Sequence, residues 1–168
     1  PPPEIPPEAP APTINKETTQ PVPYFDWPVD QARFVRGFSL RPTGKRHRPH
    51  LGIDLASYKN TPILAAHNGT IIYVGKDFRG FGKMILIEGK SGWATLYAHL
   101  NKTYVREGMR VRKGDPIASM GKTGRASGVH LHFEIRKDRG PVDPMLYLPH
   151  NGAAKNNPEL VDPHDYEE

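Results

Sequence analysis

The 168-residue sequence predicts one mostly β domain, and two observations carry that prediction. Apolar residues recur in short alternating runs bounded by Gly, Asn, Asp and Lys, the pattern of half-buried strands. No stretch repeats its apolar residues at helical spacing over a convincing length. The chain is long enough for one compact core and short for two ordinary ones.

The elements follow in chain order. Residues 1–23 are dominated by Pro with Glu, Thr and Ala and have almost no large apolar side chains. Such a segment cannot offset the entropy of ordering, so it reads as an extended, partly polyproline linker. The first residue is Pro1 rather than a methionine, which reads as a fragment or mature form whose targeting signal cannot be judged. The domain itself is expected over 24–150, and 151–168, rich in Asn, Pro, Asp and Glu, as a mobile C-terminal tail. No apolar run approaches the roughly 20 residues that span a bilayer.

The segment His50, Leu51, Gly52, Ile53, Asp54, Leu55 alternates with period two, so an extended reading places His50, Gly52 and Asp54 on one face. A helix would also bring His50 and Asp54 together, but Gly52 and the β-branched Ile53 weaken it. Gly52 would leave room between the two polar groups for a metal or substrate. Gly69 to Gly75 reads as a strand, followed by a Gly-rich loop through Gly80 and Gly82. Met84 to Glu88 and Trp93 to Leu100 read as a hairpin joined by Gly89, Lys90, Ser91 and Gly92. In its second strand, strict alternation sets Thr95, Tyr97 and His99 opposite Ala94, Leu96, Ala98 and Leu100. Val105 to Gly121 resembles the turns of lipoyl- or biotinyl-carrier barrels, but Lys122 in GKTG does not fit a carrier lysine, so the likeness is one of turn architecture. In Val129 to Ile135, His130, His132 and Glu134 share a face, and imidazoles at i and i+2 sit roughly 6.6 Å apart along a strand. Glu134 fits equally an orienting partner for a histidine ring and an exposed strand residue. His47, His67, His150 and His164 read as ordinary loop, turn or tail residues.

Composition narrows the chemistry. Cysteine is absent, which excludes disulfides and thiolate ligands and leaves imidazoles and carboxylates for any tightly bound transition metal. Three alternating strands that each present a histidine supply two imidazoles and a carboxylate for zinc, with two imidazoles to spare. Three protein ligands and an open position make a catalytic zinc site, which lowers the pKa of its water to about 7 and polarises a carbonyl. Spacing alone leaves open which of His50, His99, His130 and His132 are ligands. The net charge of +5, with Arg41, Lys45, Arg46 and Arg48 close together, suits an anionic partner or a plain solvated basic face. A nucleic-acid platform would need interleaved aromatics, which are lacking.

HLGID at 50–54, LYAHL at 96–100 and SGVHLHFEIR at 127–136 together resemble the lysostaphin-type zinc endopeptidases of cell-wall metabolism. The resemblance runs from about Trp27 to Tyr147. It implies a central antiparallel sheet with the active site in a groove flanked by loops. It also implies Zn²⁺ on His50, Asp54 and His132, with His99 and His130 as catalytic histidines that orient and deprotonate water and stabilise the oxyanion. None of the five is replaced, which favours an enzyme. Relatives that have lost these residues act as activators of other wall hydrolases, so a catalytically silent, amidase-activating module is the alternative. Some staphylococcal members carry a tyrosine ahead of the first ligand where this chain has basic and turn residues. That departure leans away from glycine bridges and toward the Gram-negative members that cut D-alanyl to meso-diaminopimelate cross-links. The resemblance further implies a peptidoglycan substrate and a periplasmic or cell-envelope location; the Pro-rich linker suits tethering to an upstream wall-binding or coiled-coil region, and a monomer is expected.

Overall fold

The computed structural model describes residues 25–42 and 48–149. The expected linker and tail, and with them Lys45, Arg46, His47, His150 and His164, lie outside the described residues.

Among the described residues ten strands carry the fold: β1 (Arg33–Arg36), β2 (Ile53–Ala56), β3 (Pro62–Leu64), β4 (Gly69–Gly75), β5 (Lys83–Glu88), β6 (Trp93–Thr103), β7 (Arg110–Val111), β8 (Pro116–Met120), β9 (Leu131–Lys137) and β10 (Gly140–Val142). One short 3-10 turn, Pro144–Leu146, follows. The mostly β architecture expected from alternation is therefore what forms. All pairings are antiparallel, in the order β1-β2-β9-β6-β5-β4-β7, with β10 on β9 and β3 joined to β6 through β8. The hairpin β5–β6 turns where expected, with Ser91 and Gly92 both at positive φ.

The two faces of the central strands bury different things. On one face Ile53, Leu55, Tyr97, Leu131, Phe133 and Ile135 join Phe25, Trp27 and Trp93 in the main core. Covering these side chains supplies the chief driving force for the sheet, on the order of 2 kcal/mol for each large residue. The main core also encloses a polar chain in which His67 Nε2 meets Thr95 Oγ1 at 2.8 Å and Thr95 Oγ1 donates to Tyr97 Oη at 2.9 Å. His67 is thus a buried, hydrogen-bonded core residue, although it does sit at a turn. On the other face Met84, Leu96 and Ala98 form a small cluster with Tyr73, Phe81 and Leu86. That second face carries the histidines.

Strict alternation fails in β6 at one residue. Thr95 and Tyr97 are completely buried in the core, so a regular strand would send His99 into the core with them. His99 instead has φ 61°. Here β6 leaves β9, whose last pair with it is Ala98↔His132, and takes up β8 at Leu100↔Met120. The left-handed residue resets the phase: Leu100 joins the core that Tyr97 joins, and the His99 ring turns to the opposite face.

Candidate metal centre

Asp54 and His132 are direct cross-strand partners on β2 and β9, though 78 residues apart in the chain. Directly opposed residues in an antiparallel pair share a face, so the register alone brings their side chains together. His132 Nδ1 lies 2.8 Å from Asp54 Oδ1. His50 enters from just ahead of β2, held by a two-way backbone bridge with Ser39, and its Nε2 lies 3.1 Å from the same oxygen. One ligand atom from each of these three residues falls within 4.8 Å of the other two. The spare histidines stand beside them: the His99 and His130 rings are 4.7 Å apart, and His130 Nε2 is 3.9 Å from Asp54 Oδ1.

Ring orientation is set by backbone carbonyls. His50 Nδ1 faces Gly37 O at 2.7 Å, His99 Nδ1 faces Thr123 O at 2.8 Å, and His130 Nδ1 faces Gly128 O at 2.9 Å. A carbonyl only accepts, so each Nδ1 carries the proton and each Nε2 is left for other partners. His132 is mounted the other way round. Its Nδ1 points at Asp54, while Nε2 lies 2.8 Å from Glu134 Oε1.

Glu134 therefore proves to be an interior partner of a site residue and not an exposed strand residue; its side chain is 1% exposed. Its other oxygen accepts from Arg136 Nε at 2.7 Å and pairs with Nη2 at 2.6 Å. Gly52 plays a different part from the one expected. A Cβ there would fall 2.2 Å from Phe133 O and 2.8 Å from Glu134 Cγ, so the missing side chain makes room for β9 and Glu134. Phe81 closes the other side of His132 at 5.9 Å between ring centroids.

The electrostatics are those of a site built for a cation. Burial alone would raise the Asp54 pKa, but hydrogen bonds from His132 and His50 hold it well below the usual carboxylate range. Burial would likewise lower His132, yet Asp54 and Glu134 on either side lift it to about 9. Glu134 is held below its ordinary value against its own burial by His132 and Arg136. An imidazolium between the half-buried Asp54 and the buried Glu134 fills the charge that a metal ion would otherwise supply. With its Nδ1 held on Gly37 O, His50 aims Nε2 at a carboxylate oxygen 3.1 Å away, so these two atoms can share a cation between them. Two imidazole nitrogens and a carboxylate oxygen are the donor types that zinc takes, so the residues fit the metal. His99 is driven the other way, to about 4, by burial first and by the neighbouring His130 second.

A single antiparallel sheet bearing histidines and one aspartate on its open face is the lysostaphin-type peptidase architecture. The chain belongs to peptidase family M23, whose sequence model matches residues 48–144. Among solved structures it is similar to a zinc-containing peptidase from Vibrio cholerae, with TM-score 0.69 and 37% identity over 73% of this chain and 39% of that one. It is also similar to the catalytic domain of lysostaphin from Staphylococcus simulans, with TM-score 0.63 and 29% identity over 69% and 91%. Among curated proteins it is 45% identical over 98 residues to the lipoprotein NlpD/LppB homolog of Pseudomonas aeruginosa, covering 58% of this chain and 33% of that protein. It is 36% identical over 132 residues to the murein hydrolase activator NlpD of Escherichia coli, covering 79% and 33%. The chain thus spans about a third of the length of these two curated relatives.

Proposed function

We propose that this domain is a zinc-dependent endopeptidase that hydrolyses peptide cross-links of peptidoglycan in the bacterial cell envelope. The observation that carries this reading is the convergence of five side chains, His50, Asp54, His99, His130 and His132, on one face of the sheet. A module that only binds wall material would have no use for the last two imidazoles beside the first three residues.

His50 Nε2, Asp54 Oδ1 and His132 Nδ1 would hold the zinc. When bound, the metal supplies Lewis acidity to the scissile carbonyl and acidifies a water near neutral pH. His99, kept neutral by burial, offers its Nε2 lone pair to take the proton of the attacking water. That proton then passes to the departing amine nitrogen, so one water is consumed for each peptide bond opened. His130, with Nδ1 fixed on Gly128 O, presents Nε2 beside Asp54 and donates from it, when protonated, to the carbonyl oxygen as charge develops. The D-alanyl to meso-diaminopimelate bond is the proposed substrate and the periplasm the proposed compartment, supported by the resemblance to Gram-negative members and by relatives named as lipoproteins and murein hydrolase activators.

A second reading has its own support. The relatives' names favour an activator of murein hydrolases over a hydrolase. On that reading the domain binds the wall or an amidase and its metal site does no chemistry. Purified sacculi incubated with the zinc-loaded protein separate the two. Release of muropeptides that stops with chelator and in His99→Ala and His130→Ala supports the endopeptidase. Intact sacculi, together with stimulation of an added amidase that both variants retain, would establish the activator.

A further inference from the structure

Four histidines face the site, and three of them rest Nδ1 on a backbone carbonyl; only His132 is mounted through Nε2, and only His132 is mounted on a carboxylate. We infer that Glu134 is a positioning residue for the metal: by accepting the His132 Nε2 proton it holds that ring in the one tautomer that leaves the Nδ1 lone pair for zinc. This inference rests on the zinc-binding reading above and deepens it.

The surroundings of Glu134 show a carboxylate held for one task. Leu96 lies opposite it on β6, and a Cβ at Gly52 would strike its Cγ, so its side chain is enclosed from both neighbouring strands. Arg136, two residues along the same face of β9, takes one oxygen with two nitrogens and leaves Oε1 for His132. A carboxylate with one oxygen fixed by a guanidinium cannot rotate away, and it can only accept. The proton on His132 is thereby kept at Nε2. A carboxylate also makes the far nitrogen a better donor to a metal than a carbonyl would, and it adds negative charge one ring away from a dication that has only Asp54 as an anionic ligand.

Glu134→Gln is nearly isosteric and removes this control. The amide has one oxygen for two claimants; if Arg136 keeps it, the amide N–H faces His132 Nε2 and drives the ring proton to Nδ1, where zinc should bind. Competition with a chromophoric chelator then reads zinc affinity directly, independent of any hydrolysis. The expected result is a zinc Kd weakened by about 10- to 100-fold in a variant whose circular dichroism is that of the parent. An unchanged Kd in the folded variant would overturn the role of Glu134 while leaving the zinc site standing. Absence of tight zinc in the parent protein would instead remove the functional reading itself. If the variant does not fold, ¹¹³Cd-substituted parent protein decides by NMR. Metal coupling to His132 Nδ1, with a slowly exchanging proton on Nε2, supports the inference, and coupling to Nε2 overturns it.

Discussion

Asp54 and His132 sit directly across from each other on β2 and β9, and their side chains meet at 2.8 Å. Because a one-residue slip would send one of the pair to the opposite face, strand register and metal site stand or fall together.

The first prediction follows from that coupling. Gly52→Ala would place a methyl 2.2 Å from Phe133 O, so β2 and β9 must separate. A loss of about 1–3 kcal/mol in urea unfolding is expected, with zinc affinity weakened in parallel. Loss of stability with zinc affinity intact would show that the site does not depend on this contact.

A second concerns His132→Ala. In the metal-free protein the substitution leaves the half-buried Asp54 and the buried Glu134 without the imidazolium between them. Breaking a buried pair in this way costs about 3–5 kcal/mol, and zinc held by the remaining two ligands should bind far more weakly than in the parent, as read by denaturant melts and chelator competition.

Acidity gives a third. The folded pKa of His132, about 9, lies above its ordinary 6.5, so its contribution to metal-free stability is fully present below pH 6.5 and is lost as pH rises toward 9. His99, depressed to about 4, contributes in the opposite sense, and its share is lost as pH falls from 6.5 toward 4. The melting temperature of the metal-free protein should therefore decline on both sides of pH 6.5. Zinc displaces the His132 proton, so the zinc-loaded protein should not decline between pH 6.5 and 9, and zinc affinity should rise across that window. Differential scanning fluorimetry with and without chelator makes the comparison.

The fourth tests the backbone at His99. Its φ of 61° favours Gly and Asn over Ala. His99→Gly and His99→Asn should be more stable than His99→Ala by about 1 kcal/mol in urea melts, while all three fail to release muropeptides.

Much of the site was legible because β2 and β9 are regular. In HLGID and VHLHFEI the period of two groups His50 with Asp54 and His130 with His132; Asp54 and His132 lie in β2 and β9 and keep that period, and His50 and His130 lie just ahead of these strands. The β4 strand and the β5–β6 hairpin were legible from alternation and from Gly-bounded turns. His99 could be picked out as a residue, but not placed: alternation assigned it to the face of Thr95 and Tyr97, and only the change of partner from β9 to β8 explains why it leaves that face. Glu134 showed the right face and hid its burial, because its enclosure comes from Gly52 and Leu96 on other strands. The two- and three-residue strands β3, β7 and β10 are too brief for a period to show, and tertiary pairing defines them.

The central claim is tested most directly at the metal itself. Zinc K-edge absorption on protein reconstituted with one equivalent should give a first shell of two imidazole nitrogens and a carboxylate oxygen, reduced to one imidazole in His50→Ala and in His132→Ala. A parent protein that does not hold zinc through chelator dialysis, or a shell that neither substitution alters, would contradict the account.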